Sequence, residues 1–128
     1  MIFQGVKINA EVKKDRHAVE YETAERCWIK ETANDDGDAI VSIARARVTP
    51  GMTTAWHKLA QVTERYIIIS GRGRVQVGQA DPADVEAGDV VRIPADTPQR
   101  IENCGEDDLV FYAVCSPRFR QACYISLE

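Results

Sequence analysis

From Cys27 to Cys115 the chain is a succession of short apolar runs cut by turn-forming clusters. The runs are Cys27–Lys30, Ala39–Val48, Arg65–Ser70, Arg74–Val77, Val90–Ile93, Gln99–Asn103 and Leu109–Cys115. Between them lie Asn34–Asp38, Pro50-Gly51, Gly71–Gly73, Asp81-Pro82, Ala87–Asp89, Pro94–Pro98 and Gly105–Asp108. Glycine reaches positive φ cheaply, proline presets φ, and Asn and Asp bond their own backbone, so each cluster has a local reason to reverse the chain. Short runs rich in Ile, Val, Tyr and Phe at regular spacing predict strands of an all-β sandwich or barrel. Helix signals are thin: Asp81–Glu86 contains Pro82, and Lys13–Arg26 is charged without an apolar stripe. On a strand beginning at Glu64, alternation puts Glu64, Tyr66, Ile68 and Ser70 on one face and Arg65, Ile67 and Ile69 on the other. Apolar residues on both faces predict that both are covered, the second by another layer or by a second copy of the chain; too few residues remain for another layer, which favours a homodimer.

The length of 128 residues suits one domain with one core, and 45% hydrophobic with 28% charged residues is the balance of a soluble globular protein. The net charge of −4 argues against a nucleic-acid or anionic-membrane surface, and no apolar run is long enough to span a bilayer. Met1–Lys14 lacks the charged-then-apolar layout of a signal peptide, so a cytoplasmic location is expected. The four cysteines, Cys27, Cys104, Cys115 and Cys123, form no C-x-x-C pair and are expected to be free thiols.

Two segments make the picture specific. Gly51 to Gly71, with His57 and Glu64 between them, resembles the first cupin motif, G-x5-H-x-H-x3-4-E-x6-G, with Leu59 at the second histidine. Gly88 to Asn103, with Pro94, resembles the second, G-x5-P-x-G-x2-H-x3-N, with Asp96 at the glycine and Gln99 at the histidine. The resemblance covers residues 39–116 and implies a single cupin domain, an antiparallel double-stranded β-helix or jelly-roll barrel, often dimeric. The N-terminal segment, residues 1–26, is then an added strand or arm. Cupins include dioxygenases, isomerases, epimerases, lyases and proteins that only bind, so the fold does not fix the chemistry.

The resemblance turns the Glu64 face inward. A carboxylate in an apolar barrel must be compensated by a cation, a charged His57, an arginine (Arg45 and Arg47 are the candidates) or its own protonation. A divalent ion, Zn²⁺, Mn²⁺ or Fe²⁺, held by His57, Glu64 and Gln99 would satisfy it directly. Leucine ligates nothing, however, and glutamine offers only a neutral oxygen. The leading expectation is a metal-dependent enzyme acting on a small polar metabolite, with Glu64 and Tyr66 as catalytic residues and the metal polarising a substrate oxygen. The alternatives are a non-catalytic small-molecule-binding cupin with a degenerate metal site, and a metal-free isomerase or epimerase using Glu64 and Tyr66.

Overall fold

The structure is a computed structural model that describes residues 7–128. Of the N-terminal segment, residues 1–6 lie outside the described residues.

The described residues form eleven strands: β1 (Glu20–Glu22), β2 (Trp28–Ala33), β3 (Ser42–Val48), β4 (His57–Leu59), β5 (Thr63–Ser70), β6 (Arg72–Val77), β7 (Ala83–Glu86), β8 (Val90–Ile93), β9 (Gln99–Asn103), β10 (Leu109–Ser116) and β11 (Tyr124–Ser126). They build a six-stranded sheet in the order β1-β2-β3-β10-β5-β8 and a five-stranded sheet in the order β11-β4-β9-β6-β7. Every pairing of named strands is antiparallel. This is the two-sheet barrel of a double-stranded β-helix, as the turn spacing predicted. Strand β7 occupies the stretch where Pro82 had weakened a helix signal; its partner β6 takes it in with the register Arg72↔Glu86 to Val75↔Ala83. Among the described residues, no helix is long and apolar enough to cross a membrane.

Alternation on β5 is as expected. Glu64, Tyr66 and Ile68 are buried, while Ile67 and Ile69 are 39% and 46% exposed on the outer face, beside Val90 at 61%. The same rule on β3 turns Ala44 and Ala46 into the barrel and Arg45 and Arg47 out of it. The expectation that one of these arginines compensates Glu64 is therefore corrected. Arg47 bonds Glu20 at 2.6 Å and Asp108 at 3.2 Å, and its guanidinium lies 5.1 Å from the Trp28 ring centre.

The core between the sheets is made of Ile68, Ile93, Ile101, Leu109 and Val48, all essentially inaccessible to solvent. Motif residues that carry no chemistry hold this frame. Gly71 has φ +87°, and a Cβ there would fall 2.5 Å from the Asp108 carbonyl oxygen, so only glycine fits the β5–β6 turn. Buried Asn103 donates to the carbonyls of Val48 and Asp107, each at 2.8 Å, and accepts the Gly105 N–H at 2.9 Å. Asp96, in the place of a motif glycine, keeps the left-handed backbone at φ +63°, and its Oδ1 accepts the Gln61 N–H at 3.1 Å. Aspartate tolerates this region because its short polar side chain bonds locally.

Candidate active site

The barrel encloses a cavity of about 440 Å³. Its inner wall comes from both sheets: Ala44, Ala46, Glu64, Tyr66, Phe111, Ala113 and Cys115 from one, His57 and Leu59 from the other. Its open side is framed by exposed residues from the two ends of the chain, Tyr21 and Ala24 on one and Ser126 and Glu128 on the other. These ends are clasped together. Arg26 Nη1 and Nη2 donate to the two Glu128 oxygens at 3.0 and 2.8 Å, and Glu128 Oε2 also accepts the Trp56 N–H at 2.8 Å. The guanidinium and the backbone donor hold the Glu128 carboxyl down at about 2.

Glu64 lies on β5 opposite Cys115 of β10, and is 7% exposed. Its Oε2 faces the Cys115 thiol at 3.6 Å, and its Oε1 is buried without a hydrogen-bond partner. Burial pushes the carboxyl up to about 7; the neighbouring Gln99 amide and Cys115 thiol pull against this, and the nearby Glu25 charge adds to it. Burial raises the Cys115 thiol far above its ordinary range, so it serves Glu64 as a protonated donor and not as a thiolate.

His57 lies on β4, paired with Gln99 of β9. Its Nδ1 is 2.8 Å from the Ala55 carbonyl, which fixes the proton on that nitrogen and presents Nε2 to Glu25 Oε2 at 3.9 Å. The imidazole stacks on Tyr124, with ring centres 4.8 Å apart and planes 19° from parallel. Burial raises the Glu25 carboxyl while His57 draws it down. Tyr66 donates its hydroxyl to Gln99 Oε1 and packs its ring on Phe111 at 4.4 Å. Burial raises this phenol well above its ordinary value.

The structure thus brings His57, Glu64, Tyr66 and Gln99 together, but it divides their tasks. Gln99 does not line the cavity; its oxygen is held by the Tyr66 hydroxyl. Leu59 fills the position of the second motif histidine, and among the described residues no three His, Cys, Asp or Glu side chains converge as a metal cage would require. This donor set does not fit the metal centre that the cupin motifs imply: of the three motif donors, the His57 imidazole and the Glu64 carboxylate face the cavity, and the Gln99 oxygen is already taken by Tyr66. Sequence reasoning missed Glu25 and Tyr124. Both lie outside the motifs, in the polar N-terminal segment and in a three-residue strand, and only the folded chain sets them against His57.

Comparison with known proteins agrees with this architecture. The chain has a TM-score of 0.78 to the Streptomyces nucleoside dehydratase Pac13, at 12% identity, covering 94% of this chain and 92% of that one. A predicted oxalate decarboxylase from Thermotoga maritima superposes with a TM-score of 0.75 at 22% identity, over 84% and 99% of the two chains. The capsular polysaccharide assembling protein CapF of Staphylococcus aureus gives 0.71 at 21% identity, over 87% of this chain and 34% of that longer one. An uncharacterised protein of Methanocaldococcus jannaschii is 35% identical over 78 residues, which span 61% of this chain and 62% of the relative. The family model of the cupin domain matches residues 44–115, from the inner face of β3 to the Cys115 that meets Glu64. More than half of the chain therefore carries the family's pattern on the family's barrel, and the protein belongs to the cupins.

Proposed function

We propose that this cupin is an acid–base enzyme that moves a proton on a small polar metabolite bound in the barrel, an isomerase, epimerase or dehydratase by reaction type. One observation carries the reading: Glu64 is buried, one of its oxygens has no partner, and its carboxyl sits at about 7 against the cavity. A general base works best with its pKa near the operating pH, because it must both take and return the proton. Glu64 as carboxylate removes a proton from carbon beside a substrate carbonyl, the C–H electron pair moves into the enolate, and the acid formed on Glu64 returns the proton. His57 is the second proton carrier, its Nε2 held open by the bond from Nδ1 to Ala55. Tyr66 keeps its proton and acts as a positioning residue, orienting Gln99 so that the amide steadies Glu64.

Pac13 supports the reading at the level of the barrel alone, since a nucleoside dehydratase of nearly the same length shares it. Oxalate, named for the Thermotoga maritima neighbour, is a poorer guide, because Glu64 offers a dianion no welcome. The test is deuterium uptake from D₂O, read by mass spectrometry, across a panel of small carbonyl metabolites with α-hydrogens. Exchange that is lost in Glu64→Gln and indifferent to chelator supports the proposal. Exchange that survives Glu64→Gln, or that needs added Zn²⁺, Mn²⁺ or Fe²⁺, overturns it. Binding without exchange leaves the chain as a ligand-binding module.

A further inference from the structure

The cavity is lined by four carboxylates on four separate parts of the chain: Glu25 before β2, Glu31 on β2, Glu64 on β5 and Glu128 after β11. Among the described residues that line it there is no lysine or arginine. The basic side chain in the wall is His57, and its Nε2 already faces Glu25. Of the four, Glu128 is answered from outside the cavity by Arg26, and Glu31 takes a bond from the Asn34 amide at 3.2 Å. Glu64 is different. It is more than nine-tenths buried, lines the cavity, and has an oxygen without any donor. A buried acceptor left empty is costly, and it is filled when a donor arrives.

Resting on the reading of this cavity as the working site, we infer that its ligand is a small organic cation, a primary amine or ammonium compound. An anionic ligand would enter a low-dielectric space already carrying like charge and would find no counter-charge. A neutral hydroxyl compound would supply a donor to Glu64 but would leave the carboxylates uncompensated. An ammonium group supplies both donor and charge, and hydrogen bonds assisted by charge are roughly twice as strong as neutral ones. The aromatic lining suits the same ligand: Tyr66, Phe111 and Tyr124 are part of the wall, and aromatic rings attract cations.

Two matched series test this on the full chain: benzylamine, benzyl alcohol and benzoate, and ethanolamine, ethylene glycol and glycolate. Affinity is measured by NMR titration at pH 7.5. The amine in at least one series should bind about tenfold or more tightly than its alcohol, the carboxylate should bind weakest, and Glu64→Gln should weaken the amine about tenfold while changing the alcohol little. Glu25→Gln, checked with Glu64→Gln for folding by circular dichroism, gives a second variant with the same expected direction. A carboxylate or alcohol that matches the amine, an amine whose affinity survives both substitutions, or no amine binding at millimolar concentration overturns the inference. Amine binding, together with no deuterium exchange on any compound of the carbonyl panel, would refute the enzyme reading and leave this one standing. Exchange on a carboxylate-bearing compound would do the reverse.

Discussion

Replacing Glu64 by glutamine keeps the shape of the side chain and removes its titration. The folded carboxyl lies at about 7, against an ordinary value of 4.5. Between these values the folded protein holds a proton that the unfolded chain has lost, so stability falls as pH rises and levels off above the folded value. The linkage relation gives a loss of about 2 to 3 kcal/mol between pH 5 and pH 8. For a chain of this size that is roughly 9 °C in Tm. Glu64→Gln should lack this loss. Any constant effect of the amide, such as a poorer fit to the Cys115 thiol, is present at both pH values and drops out of the comparison. Glu25, whose carboxyl burial also raises, is common to both proteins, while Glu128 at about 2 and the Tyr124 phenol and Cys27 thiol, pushed up to about 12, lie outside the window. The assay is urea denaturation of both proteins from pH 5 to pH 8, followed by the fluorescence of Trp28 and Trp56. If wild type and variant change stability in parallel across the window, Glu64 is not a buried acid and the mechanism built on it fails.

Leu59 is buried beside His57 and faces the same cavity, so Leu59→His restores the missing motif imidazole; Zn²⁺ should raise the variant's stability by about 2.7 kcal/mol at a hundredfold excess over its Kd, and should leave the wild type's thermal unfolding unchanged. Asn103→Ala deletes three hydrogen bonds that this buried side chain makes to backbone groups of Val48, Asp107 and Gly105, which should cost about 3 kcal/mol, or roughly 10 °C in Tm by calorimetry.

The barrel was legible because its signals are local. Turn clusters mark where the chain reverses, and period-two alternation on β5 places Glu64 and Tyr66 inside and Ile67 and Ile69 outside. His57 and Gln99 were legible as neighbours because the motif spacing carries them onto adjacent strands. What escaped was decided by contacts between distant segments. The company of Arg47 is set by Glu20 and Asp108, residues 27 and 61 positions away, and no pattern on β3 reveals that its charge is spent on the surface. The Gln99 oxygen is taken by a tyrosine 33 positions away on the opposite sheet, a bond that no motif spacing reveals. Glu25 sits in a polar stretch that resembles any solvated loop until Cys27 is buried and the segment is drawn across the cavity.

The clasp between Arg26 and Glu128 has a consequence for inheritance within the family. The strands that carry Glu64, His57 and Gln99 fall inside the stretch shared with other cupins, residues 44–115, while Glu25, Tyr124 and Glu128 fall outside it. The cavity is in this sense built in two parts: an inner wall from the shared barrel, and a rim to which Glu25, Tyr124 and Glu128 contribute from outside it. An alignment over the barrel alone therefore compares the inner wall of the cavity and leaves its rim out. A graft of both segments onto another cupin would test whether this rim sets what the cavity binds.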